Sequence, residues 1–178
     1  MKKQQLNYYF LMIIYVFHSC DNPSKIDYGN NPNVGNYATV NGIKMYYEIY
    51  GEGEPLLLIH GNNGSILGHA ERIEHFKKKY KVIAADSRSH GKTEDLGDSL
   101  TYKNMTSDIN SLLTQLKIDS CYVWGQSDGG IIGLRLAMDY PDKVKKLAMY
   151  GVNTKPDTTA VFTSIVGWVD ETLQKTND

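Results

Sequence analysis

Cysteine is nearly absent: Cys20 and Cys121 are the only two in 178 residues. A disulfide-stapled fold is therefore excluded, and so is a metal centre built on clustered thiolates, since no histidine pair with ligand-like spacing in an acidic cluster makes up the difference. Charge of one sign is lacking too. The 19 Lys plus Arg and 20 Asp plus Glu leave a formal net charge of -1, which rules out nucleic-acid binding as the default, since that needs a concentrated basic surface. No apolar run is long enough for a lasting membrane span: Tyr8 to Phe17, drawn as a helix, would cover only about 15 Å, half a bilayer core. Neither G-x-G-x-x-G nor G-x-x-x-x-G-K-[ST] occurs, which removes a nucleotide phosphate loop.

What the chain does have begins with an export pattern over residues 1–20. Lys2 and Lys3 precede the apolar run, and His18-Ser19-Cys20 follows it, the order of a signal peptide. A cysteine after a small residue at that point resembles the lipobox of bacterial lipoproteins. The resemblance implies that Cys20 becomes the lipid-modified first residue of an exported, membrane-anchored protein on the periplasmic side or cell surface. Phe17 and His18 depart from the usual Leu and small residue. Residues 21–36, rich in Asn, Pro and Gly, read as a flexible tether.

Regular patterning starts at Tyr37. Tyr37 to Val40 and Ile43 to Tyr50 are β-prone runs separated by Asn41-Gly42, the dipeptide that tolerates a tight hairpin. Leu56 to His60, Val82 to Ala85, Cys121 to Trp124 and Lys145 to Tyr150 read as short buried strands. Between them, Ala70, Ile73, Phe76 and Tyr80 share one helical face. A second stripe runs through Tyr102, Met105, Ile109, Leu112, Leu113 and Leu116 behind a Thr101 N-cap, and Gly129 to Tyr140 forms a third helix ended by Pro141. Alternating strands and helices imply an α/β fold with a mostly parallel sheet and helices on both faces.

Gly125-Gln126-Ser127-Asp128-Gly129 fits G-x-S-x-G and lies between a buried strand and a helix. A strand that turns sharply into a helix crowds the backbone around the serine, so its neighbours must be glycine while the hydroxyl stands clear. The helix start beneath also favours developing negative charge. Ser127 is the candidate nucleophile.

The order of hairpin, strand, His60-Gly61, helix, strand, the stretch Asp86 to Thr93, helix, strand and G-x-S-x-G resembles the α/β-hydrolase fold family. The resemblance runs from Tyr37 to the C-terminus and implies a three-layer domain. It assigns 37–157 to the N-terminal part of that domain and 158–178 to the start of a lid segment. It implies that the backbone N–H groups of Asn62 and Asp128 form an oxyanion hole. Asp86 to Thr93 resembles the family's D-x-R-G-x-G-x-S loop, with Ser89 for a usual glycine and Thr93 for the serine, so His60, Asp86, Arg88 and His90 are read as structural supports. No cofactor is implied.

More narrowly, Gly125 to Ile131 and Tyr150-Gly151-Val152-Asn153 look like the valacyclovir-hydrolase branch, also called biphenyl-hydrolase-like proteins. That branch implies a small-molecule ester substrate, an α-amino-acid ester in particular, with Asp128 holding the ammonium group. A carboxylate beside the serine does favour a cationic acyl group; capping the following helix is the alternative role. Carbon–carbon cleavage or cofactor-free peroxidation on a similar serine site stay open. A dehalogenase fits poorly, because there the elbow carries aspartate.

The family's triad order is Ser, then Asp or Glu, then His. All five histidines, His18, His60, His69, His75 and His90, precede Ser127, so no residue stands at the base position. A serine hydroxyl without a base is a poor nucleophile. The chain as given is expected to lack the triad acid and base together with the C-terminal strands and helices. The expected function is thus a serine ester hydrolase read from its N-terminal portion, against the alternative of a catalytically inactive surface lipoprotein scaffold.

Overall fold

Asn41 and Gly42 carry positive φ angles of 45° and 86°, which reverses the chain in two residues. The strands on either side, β1 (Gly35–Val40) and β2 (Ile43–Tyr50), pair antiparallel with Val40 opposite Ile43. The computed structural model describes residues 26–97 and 100–153. The expected signal segment 1–20 with Cys20, and the expected lid segment 158–178, lie outside the described residues.

Four further strands complete a sheet of order β1-β2-β4-β3-β5-β6. They are β3 (Glu54–Ile59), β4 (Tyr80–Ala85), β5 (Cys121–Gln126) and β6 (Val144–Tyr150). The run β4-β3-β5-β6 is parallel, and β2 joins it antiparallel through β4. Helix α1 (Ala70–Phe76) lies on one face; α2 (Tyr102–Gln115) and α3 (Asp128–Asp139) lie on the other.

Strand β3 explains the three layers. Leu57 and Ile59 pack with Ile109, Leu112 and Leu113 of α2 and with Ile132 and Leu136 of α3. Leu56 and Leu58 pack with Ile73 of α1 and with Ile66 on the opposite side. A strand covered on both faces must be apolar at every position, which is why the alternation of a half-exposed strand is missing here. The Thr101 hydroxyl accepts the Asn104 N–H at 3.1 Å and starts α2 as the sequence predicts.

Two expectations need correction. Tyr80 does not continue the α1 face. The helix closes when the Lys77 N–H bonds to the Ile73 carbonyl, and Tyr80 opens β4 opposite Glu54. The segment 21–36 is not a free tether throughout, since Gly35 and Asn36 already belong to β1 and Tyr28 is buried.

The reason is Glu48. Its carboxylate is fully buried and accepts four hydrogen bonds, from the N–H groups of Gly29 and Asn31 (both 2.9 Å) and the hydroxyls of Tyr46 (2.7 Å) and Tyr50 (2.8 Å). A buried acid without donors is untenable, so the peptide groups of this segment complete the Glu48 shell and the segment is held in return. Glu48→Ala orphans two backbone N–H groups and two phenols. It is expected to lower the free energy of unfolding by about 3 kcal/mol in urea denaturation.

Candidate active site

Ser127 sits between β5 and α3 with φ 51° and ψ -119°, a conformation few side chains tolerate. Three backbone hydrogen bonds hold it there. The Ser127 N–H donates to the Tyr150 carbonyl at 2.8 Å, and the Ser127 carbonyl accepts from Gly130 at 2.8 Å and Ile131 at 3.2 Å. The two motif glycines are sterically required. A Cβ on Gly125 would overlap the Gly129 carbonyl, and one on Gly129 would overlap the carbonyls of Ile59 and His60.

The loop after β3 lies against the serine. A Cβ on Gly61 would stand 3.1 Å from the Ser127 Cβ and 3.8 Å from its Oγ. The loop closes through the Gly64 N–H, which donates to the Gly61 carbonyl at 3.0 Å, with Asn63 at φ 55°. Among the described residues, the backbone N–H groups of Asn62 and Asp128 make no hydrogen bond.

The histidine that ends β3 is fully engaged. His60 Nε2 accepts the Ser87 N–H at 2.9 Å, which puts the ring proton on Nδ1, where it donates to the Gly61 carbonyl at 2.7 Å. Burial pushes its pKa below the ordinary histidine value. A ring with both nitrogens committed to backbone ties two loops together and has no lone pair for Ser127.

Asp86 binds the Ile66 and Lys92 N–H groups, each at 2.8 Å. Burial raises its pKa against the pull of those two donors. Gly91, at φ 54°, has no room for a Cβ beside that carboxylate. Arg88 forms a two-pronged buried ion pair with Asp108 at 2.8 and 2.9 Å. His90 Nδ1 lies 2.7 Å from the Arg88 carbonyl, and its Nε2 lies 3.4 Å from Asn62 Oδ1. These residues set the path of the loop that leads from β4 toward α2.

Asp128 opens α3 without capping it through its side chain; Ser127 occupies the cap position. Its Oδ1 instead accepts the Tyr102 hydroxyl at 2.9 Å. Tyr102 belongs to the apolar stripe by spacing, yet it is 36% exposed and does not fill the core. His69 is buried edge-on to Trp124, with ring centroids 5.3 Å apart, and burial lowers its pKa to about 4.

Sequence reasoning missed Asp108, Glu48 and the pairing of Tyr102. The first two carried a signal: Asp108 lies within the apolar stripe of α2, and Glu48 interrupts the apolar run of β2 between two tyrosines. Among the described residues, no group of three or more His, Cys, Asp and Glu side chains could hold a metal ion.

The signature of the alpha/beta hydrolase fold matches residues 54–176. The chain is 29% identical over 155 residues to the sn-1-specific diacylglycerol lipase ABHD11 of Danio rerio, covering 84% of this chain and 47% of that protein. It is 31% identical over 126 residues to epoxide hydrolase 4 of Mus musculus, covering 66% of this chain and 35% of that protein. Among solved structures, the enol-lactonase from Burkholderia xenovorans LB400 superposes with a TM-score of 0.64 at 28% identity, covering 66% of this chain and 46% of that one. The chain thus spans less than half the length of these relatives.

The tight packing of the serine turn makes a direct prediction. Gly129→Ala is expected to destabilise the protein by about 2–3 kcal/mol, read as a lower urea midpoint.

Proposed function

The chain belongs to the α/β-hydrolase fold family, and from that premise we propose that it is a serine hydrolase of carboxylic esters with Ser127 as nucleophile. The observation that carries the reading is the backbone of Ser127 itself: positive φ, three fixing hydrogen bonds and glycines with no room for a Cβ. Such strain persists only where surrounding structure enforces it, and it serves to hold a reactive group clear of the chain.

In this reading Ser127 Oγ attacks the ester carbonyl carbon. The unbonded N–H groups of Asn62 and Asp128 receive the oxyanion, a contribution of about 3 kcal/mol per donor. Collapse of the tetrahedral intermediate expels the alcohol and leaves an acyl-serine, which water then hydrolyses. The reading assigns nucleophile and oxyanion donors to this chain and names no acid or base among its residues. His60 is not that base, because both its nitrogens are occupied.

The substrate class extends to α-amino-acid esters, with Asp128 facing the ammonium group. The support is its place next to Ser127 and its partly buried position at the start of α3. Export and lipid attachment at Cys20 belong to the same proposal, resting on Lys2, Lys3 and the run Tyr8 to Phe17.

A second reading, a surface scaffold without catalysis, is favoured by one observation: His60, whose carbonyl packs against the Ser127 turn, has both ring nitrogens committed to backbone groups. A fluorophosphonate probe separates the two. Applied to the protein as its source produces it, the hydrolase reading expects covalent labelling that disappears in Ser127→Ala, whereas a folded protein that never labels supports the scaffold. Asp128→Asn is expected to lower kcat/KM for an amino-acyl ester about tenfold relative to the matching plain acyl ester. Equal losses on both esters would overturn the ammonium role.

A further inference from the structure

Resting on the reading of Asp128 as the ammonium partner, we propose that Tyr102 is a positioning residue for substrate selection. Its phenol holds Asp128 Oδ1, so that Oδ2 is presented to the ammonium group of an amino-acyl ester.

The Thr101 cap ends the preceding loop, which makes Tyr102 the first helical residue. The Thr106 hydroxyl donates to the Tyr102 carbonyl at 2.7 Å and holds that first turn in place. One and two turns on, Met105 and Ile109 go into the core, while the Tyr102 ring stays at the surface and spans to the start of α3. The phenol thus reaches a carboxylate 26 residues away, next in sequence to the nucleophile.

A carboxylate on the first residue of a helix has two free side-chain torsions and is otherwise ordered only by water. One donor on Oδ1 removes most of that freedom. Oδ2 has no hydrogen-bond partner among the described residues. An α-ammonium group lies one carbon from the ester carbonyl, so an acyl chain reacting at Ser127 carries its charge close to the nucleophile, next to which Asp128 stands in the sequence. Burial and the neighbouring carboxylate both raise the phenol pKa above its ordinary value, so Tyr102 remains a donor throughout the neutral range. A phenylalanine in its place would keep the ring contacts and lose the donor.

The test uses the full chain with Ser127→Ala, so that turnover plays no part. Affinity for L-alanine methyl ester is compared with that for methyl propionate, which lacks only the amino group, by NMR titration at a pH where the amine is charged. Adding Tyr102→Phe is expected to cut the preference for the amino ester about tenfold. Methyl propionate binding and the thermal midpoint should not move. In an Asp128→Asn background, Tyr102→Phe should have no further effect, since the two residues act as one unit.

A preference that survives Tyr102→Phe but is lost in Asp128→Asn overturns the role of Tyr102 and leaves the ammonium reading standing. A parent protein without preference, or one indifferent to Asp128→Asn, overturns both. Equal weakening of both ligands with a lowered midpoint would make Tyr102 a staple between helices and also overturn the proposal.

Discussion

The close approach of the β5–α3 turn to the end of β3 is the constraint on which the rest of the arrangement depends. The Gly129 backbone rests on the carbonyls of Ile59 and His60, with no room for even a methyl group. That contact sets α3 against the sheet, brings the loop after His60 up to Ser127, and leaves the serine no relaxed conformation. Positive φ at a non-glycine residue costs about 1–3 kcal/mol. The bonds from Ser127 to Tyr150, Gly130 and Ile131 offset it and tie β6 to the same point.

Three buried carboxylates tie segments together elsewhere in the fold, each satisfied by a different chemistry. Glu48 is surrounded by four uncharged donors, Asp86 by two backbone N–H groups, and Asp108 by the Arg88 guanidinium together with the Asn41 amide. Each joins segments distant in sequence, because an acid in a low-dielectric interior must collect donors from wherever the chain passes. The loops framing Ser127 therefore rest on polar networks inside the layers, while the apolar cores hold only the strands and helices.

Most of the layered architecture was legible in the chain. Strand runs with glycine, proline and asparagine between them fell within a few residues of the observed elements. The Asn41-Gly42 turn and the Thr101 cap are local chemistries that neighbouring residues dictate without help. The errors have a common origin. Tyr80 and Tyr102 both fit a helical spacing, but the first pairs in β4 and the second faces a carboxylate. Periodicity reports that a residue can bury apolar area, and tyrosine satisfies that test while also carrying a hydroxyl that needs a partner. Asp27 to Asn36 looked like linker because its composition is polar, and it is held by an acid in another strand.

The sequence by itself determined the α/β alternation and the sharp turn at Ser127. These follow from residue order and short-range sterics, which involve only neighbours along the chain. Tertiary structure alone decided that both nitrogens of His60 are occupied, that Glu48 and Asp108 are buried hubs, and that Tyr102 meets Asp128. Those pairings join residues up to 67 positions apart. The strand order, which places β3 between β4 and β5, sets loops remote in sequence side by side, where they must satisfy one another's donors and acceptors.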